Sequence, residues 1–199
     1  RKGRISFSEL FYKVAACAAG LKSAGVGVGD RVAAYMPNVP ETVIMMLATT
    51  SLGAIWSSCS PDFGLQGVLD RFQQIEPKIL LTVDSYQYHG KEIDRSETVN
   101  QLLEKLTSLE KVVIVDRRKL QRDAANLRLI DWQDFIDPNA NSIHFEQLPF
   151  DHPIYILYSS GTTGVPKCIV HGAGGTLLQH FKEHVLHCDL KPGDVLSYF

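Results

Sequence analysis

Cysteine is scarce in this sequence and follows no pattern. The 199 residues hold four, Cys17, Cys59, Cys168 and Cys188, at long, irregular intervals with no Cys-x-x-Cys pair. That argues against a disulfide framework and predicts reduced thiols in a cytosolic protein. Long apolar runs are missing too. None approaches the roughly 20 residues that a membrane-spanning helix needs. Neither sign of charge dominates: 20 Lys and Arg stand against 22 Asp and Glu, for a formal net charge of −2. No global basic field is present to recruit nucleic acid or an anionic membrane. There is no internal repeat, low-complexity tract or linker. The chain opens on Arg1 rather than Met, and no signal-peptide pattern follows. Phe199 closes a run, "DVLSYF", that reads as a strand, so both ends read as cut. With 45% hydrophobic and 21% charged residues, the composition is that of an ordinary globular protein. Its length suffices to bury a real core.

The periodicity that is present alternates between two kinds. "SFSE" at residues 6–9 has capping-box spacing. Leu10, Phe11, Val14, Ala18 and Leu21 then recur at helical spacing, and Gly25 supplies a stop. "RVAAY" at 31–35 reads as a short strand, and Pro40-Glu41 opens a helix running towards Gly53. "AIWSSC" is the next strand. "LQGVLDRFQQI" is a helix ended by Pro77, and "KILLTV" a buried strand. "ETVNQLLEKLTSL" and "KVVIVD" repeat the helix and strand. Such alternation predicts βαβ units, hence an α/β fold with layered, mostly parallel sheets flanked by helices. Residues 117–151 are the least regular and are expected to be connecting structure.

The stretch "YILYSSGTTGVPKCIVHGAGG", residues 155–175, departs from this plainness. An apolar run meets a loop of hydroxyls and glycines that closes on Pro166-Lys167. Ser159, Ser160, Thr162 and Thr163 offer hydroxyl donors. Gly161 and Gly164 permit positive φ and close backbone approach. Successive exposed N–H groups make an anion-binding nest, and Lys167 adds a positive charge at its rim. Polyphosphates suit such a loop. It is not a Walker A loop, which needs GxxxxGK[ST] opening onto a helix; here Pro precedes the Lys and a strand-like run follows. The plain alternative is a flexible surface hairpin, since Gly, Ser and Thr are common loop residues.

"YSSGTTGVPK" resembles the phosphate loop of the adenylate-forming superfamily, which includes acyl-CoA synthetases, luciferases and peptide-synthetase adenylation domains. The resemblance covers nearly the whole chain. The segment from "LKSAGVGVGDRVAAYMPNVPETV" to "GAIWSSCSPDF" is similar to the family's early core, and "HCDLKPGDVLSYF" to the segment before the family's next motif. Within the superfamily, "WSSCSPDFGLQGVLDRFQQIEPKIL" is similar to the acetoacetyl-CoA synthetases. Cys168 departs from the Gly that many members carry after the Lys.

The resemblance implies that residues 1–199 are part of a large N-terminal AMP-binding domain, truncated at both ends, with a C-terminal domain absent. It implies an acid–thiol ligase using ATP, Mg²⁺ and CoA. Acetoacetate becomes an acyl-adenylate as pyrophosphate leaves, and the CoA thiol then displaces AMP. Ser159, Ser160, Gly161, Thr162, Thr163 and Gly164 are thereby assigned to the β- and γ-phosphates, with Lys167 as a nearby charge. No residue of the stretch is assigned as catalytic, and no metal ligand is assigned. Lys91, in "YHGK", stands where related enzymes use a short basic turn against the CoA nucleotide; an exposed, solvated Lys is the alternative. The partners implied are small molecules, with no nucleic acid and no membrane span, and the compartment is the cytosol. Other readings stay in view: a different short-chain acid, or a non-catalytic nucleotide-binding or interaction piece. "HFKEH" also matches H-x-x-E-H, so His180 and His184 with Glu183 form a zinc motif, against the plain reading of a polar helix face that also carries His187.

Overall fold

The computed structural model describes residues 4–116, 118–120, 128–159 and 164–197. The first helix, α1 (Phe7–Ser23), begins where the sequence places its cap. Glu9 N donates to Ser6 Oγ at 3.2 Å, and Ser6 N donates to Glu9 Oε2 at 2.7 Å. There follow β1 (Arg31–Tyr35), α2 (Pro40–Ser51), β2 (Ile55–Cys59), α3 (Leu65–Ile75) and β3 (Ile79–Thr82). A small hairpin of β4 (Ser85–Tyr88) and β5 (Lys91–Asp94) precedes α4 (Ser96–Lys105) and β6 (Lys111–Ile114). Then come β7 (Leu129–Asp131), α5 (Trp132–Phe135), β8 (Pro153–Ser159), β9 (Lys167–Gly172) and α6 (Ala173–Phe181). The last helix runs on into a π-helical segment, Lys182–His187.

Seven strands form one sheet in the order β7-β6-β3-β1-β2-β8-β9. All pairings are parallel except β8 with β9. Alternate residues of each central strand serve opposite cores. Val32, Ala34, Ile79, Leu81 and Val113 pack with α1, α2 and α5. Ala33, Tyr35, Leu80, Val112 and Ile114 pack with α3 and α4. Because both faces are covered, these strands read as unbroken apolar runs. From β2 the parallel strands run β2-β1-β3-β6-β7. Numbered in chain order among themselves, that is second, first, third, fourth, fifth. In sheets of this order ligands bind outside the carboxyl ends, at the switch point beside the first strand.

The structure differs from the sequence reading at three places. Residues 117–151 are not merely connecting: β7 extends the sheet and α5 caps one core with Trp132 and Phe135. Three strand residues and one helical turn are too short to show a period. Secondly, the polar stretch at 85–94 forms a hairpin that apolar patterning does not mark. Thirdly, residues 194–197 of the "DVLSYF" run form no strand, and Val195 is 95% exposed there.

Candidate active site at the carboxyl edge of the sheet

The loop of hydroxyls and glycines joins two strands, as its flanking apolar runs imply. Ser159, the last residue of β8, pairs with Lys167, the first of β9, and the register runs unbroken back to Tyr155 and His171 before it shifts at Pro153. Ser159 is half-buried and Lys167 exposed. Ser160, Gly161, Thr162 and Thr163 lie outside the described residues. Gly164 has φ +97° and nothing within 4 Å of where a Cβ would stand. The position therefore needs glycine for its backbone and faces open space, as a surface that admits an anion must. No helix follows the loop directly, because β9 begins at Lys167.

β8 runs parallel to β2, so this loop leaves the sheet at the edge where the parallel strands end. The same edge holds a cleft of about 1170 Å³. Its walls include Pro37 to Val39 after β1, Ser60 to Asp62 after β2, Val83 after β3, and Val115 and Asp116 after β6. Tyr86 and Tyr88 of the β4–β5 hairpin close one side. Tyr35, fully buried, points its hydroxyl at the Pro61 and Phe63 carbonyls, 2.9 and 2.8 Å away. Tyr86 donates to Asp62 Oδ1 at 2.5 Å, and Ser60 Oγ to Asp62 Oδ2 at 2.9 Å. These donors hold the Asp62 carboxyl below its ordinary range, Tyr86 contributing most. Tyr86 is itself pushed up, by partial burial and then by Asp62. Behind the cleft, Asp84, fully buried two residues after β3, accepts from the backbone N–H groups of Arg118, Lys119 and Leu120 at 2.8, 2.7 and 2.9 Å. These clamps were not visible in the sequence. "SPDF" carries only a family resemblance in the sequence, and its tyrosine partners come from other elements.

Lys91 is the exposed first residue of β5, paired with Tyr88 across a two-residue turn in which His89 and Gly90 have positive φ. Those dihedrals are the hairpin-favoured type. Lys91 therefore sits at the tip of the hairpin whose first strand lines the cleft, rather than within the lining. The histidine motif fares differently. The His180 and His184 rings are 6.0 Å apart. His184 and His187 fall in the π-helical segment, where the winding is wider than the α-helical spacing assumes. Among the described residues no group of three or more His, Cys, Asp or Glu could hold a metal ion. No helix of the described residues is long and apolar enough to cross a membrane.

Residues 1–198 match the family model described as AMP-binding enzyme. The chain belongs to the AMP-binding enzyme family. It is similar to the acetoacetyl-coenzyme A synthetase of Rhizobium meliloti (strain 1021), 52% identical over 202 residues that cover 98% of this chain and 30% of that protein. It is 41% identical over 202 residues to a malonamoyl-CoA synthetase of Penicillium aethiopicum, covering 98% of this chain and 28% of the relative. A solved structure, the acetoacetyl-CoA synthetase from Streptomyces lividans, superposes with a TM-score of 0.91 at 46% identity, over 98% of this chain and 29% of that one. The chain thus spans about three-tenths of the length of these AMP-binding relatives.

Proposed function

We propose that this chain is part of the large AMP-binding domain of an acid–thiol ligase that activates acetoacetate with ATP and passes the acyl group to CoA. A carboxylate is a poor electrophile because its leaving group would be oxide. Attack of a carboxylate oxygen on the α-phosphorus of ATP expels pyrophosphate and leaves an acyl-adenylate. The CoA sulfur then attacks the acyl carbon, AMP departs, and a thioester remains. In the first step negative charge gathers on the departing pyrophosphate. Preorganised donors aimed at that charge are worth more than donors that must reorganise. The observation that carries this reading is the loop hung between the paired Ser159 and Lys167, with its open positive-φ glycine at Gly164. In it Ser159, Ser160, Gly161, Thr162, Thr163 and Gly164 receive the β- and γ-phosphates, and Lys167 supplies charge.

Magnesium would enter as the ATP complex, held by phosphate oxygens and water. No residue described here is assigned to it, and no step is drawn through it. Lys91, on the hairpin beside the cleft, would meet a phosphate of CoA, with the cytosol as compartment. The exposed apolar side chains of β8, β9 and α6, among them Leu157, Val170, Leu177 and Phe181, support a larger domain that covers them. Both named relatives act on acyl groups with a carbonyl at the third carbon, acetoacetyl and malonamoyl. That favours a short acid bearing a 3-carbonyl as the substrate class. The test is to supply the complete enzyme with ATP, Mg²⁺, CoA and, in turn, acetoacetate, malonamate, butyrate and acetate, and to measure thioester and AMP. Acetoacetate should give the highest kcat/KM. A preference for butyrate or acetate would remove the 3-carbonyl assignment, and no AMP with any acid would remove the ligase reading.

A further inference from the structure

Helix α3 touches both limbs of the β8–β9 hairpin at the residues that bound the loop. Arg71 lays its guanidinium between two rings, with Cζ 4.4 Å from the Phe63 centroid and 5.6 Å from that of Tyr158. Tyr158 immediately precedes Ser159 and is fixed at its far end, its hydroxyl oxygen 2.9 Å from Ser57 Oγ. One turn further along α3, Gln74 Nε2 donates to the Pro166 carbonyl at 2.8 Å. The Cys168 thiol donates to Gln74 Oε1 at 3.5 Å. One amide side chain therefore holds the residue before Lys167 and the residue after it. Phe63 belongs to the Ser60–Phe63 segment, so Arg71 also joins the cleft wall to the strand that enters the loop.

We infer that Arg71 and Gln74 are positioning residues for the phosphate loop, setting where its two limbs stand when the triphosphate arrives. This rests on the phosphate-loop reading above. The loop's donors act on charge that develops only if they are already in place, so a small displacement is costly. Gln74 is exposed, and the contact adds little to folding. Its effect should appear in kinetics and not in melting. The hydrogen-bond directions make a sharper statement. A glutamate at position 74 could still accept from Cys168 but could not donate to Pro166.

The experiment measures acid-dependent ATP–pyrophosphate exchange in the complete enzyme for Gln74→Met, Gln74→Glu, Arg71→Met, Cys168→Ser and Lys167→Ala, with melting temperatures alongside. We expect kcat/KM for ATP to fall about tenfold in Gln74→Met, Gln74→Glu and Arg71→Met, with KM for the acid unchanged. Cys168→Ser, which keeps a donor to Gln74, should stay within about twofold of wild type. Melting should not move in the Gln74 variants, so these decide the matter even if Arg71→Met folds poorly. If Lys167→Ala is impaired while the Gln74 variants match wild type, this inference is overturned and the phosphate loop stands. If Lys167→Ala itself matches wild type, the phosphate-loop reading and this inference fall together.

Discussion

Tyr35 shows what a single buried hydroxyl decides. In the sequence it is only the last residue of a strand, "RVAAY". In the fold its ring fills the core beneath α3, and its O–H is shared between two carbonyls of the segment after β2. Removing that donor while keeping the ring, in Tyr35→Phe, should cost about 1 kcal/mol in urea unfolding. Asp84→Ala should cost more, about 2–3 kcal/mol, because it leaves three N–H groups of residues 118–120 without their carboxylate. The same burial makes an alkaline prediction. It pushes Tyr35 up from 10.0 to about 12 and Cys59 from 9.0 to about 12, and it raises Tyr158 as well. Each group is neutral when protonated, so the folded state holds its proton to higher pH than the unfolded chain does. Stability should be fully present below about pH 9 and fall as pH rises towards 12. Denaturant midpoints measured from pH 7 to 11 check this, and a flat profile would contradict it. None of these contacts was legible in the sequence, because each partner lies dozens of residues away.

Whole elements were far more legible than single contacts, and the reason is burial on a period. α1, with its capping box, and the strands β1, β2, β3 and β6 all stand where alternating helical and unbroken apolar runs put them. β7, α5 and the β4–β5 hairpin escaped because they are short or carry polar residues on both faces. Two helical glycines separate propensity from packing. At Gly20 in α1 an added Cβ would stand 2.3 Å from the backbone oxygen of Phe135. Alanine gains up to about 1 kcal/mol in helix propensity there, yet overpacking against backbone costs about 1–3 kcal/mol. Gly20→Ala should therefore destabilise. At Gly174 in α6 the nearest atoms belong to the ring of Phe150, which is 65% exposed and free to swing aside. Gly174→Ala should leave the melting temperature unchanged or raise it. A stabilised Gly20→Ala would show that α1 and α5 can part without loss, against the close packing described here.

At the scale of the molecule, one edge of one sheet collects what matters. Parallel strands deliver their carboxyl ends together, β8 joins them through β2, and the loop and the cleft stand side by side. The loop's place between two strands was legible because apolar runs flank it on both sides. The cleft was not, because its walls are ordinary residues that become neighbours only through the strand order. The 199 residues by themselves should make no acetoacetyl-CoA from ATP, Mg²⁺, acetoacetate and CoA. They span three-tenths of the AMP-binding relatives; if they are one part of the domain proposed above, they lack the roughly 7–11 kcal/mol that orientation of the reacting groups contributes. Thioester turnover by this piece would contradict that division.

In the proposed reaction the β8–β9 loop receives the triphosphate while an acid is activated. Acetoacetate-dependent exchange of labelled pyrophosphate into ATP, measured in the complete enzyme and in Thr163→Ala and Lys167→Ala, tests it most directly. Exchange should require acetoacetate and should not require CoA. Thr163→Ala should lose about 10²–10³-fold, the order seen for one preorganised donor, and Lys167→Ala should show a clear loss. Exchange at wild-type rates in both variants, or none with the unaltered enzyme, would contradict it.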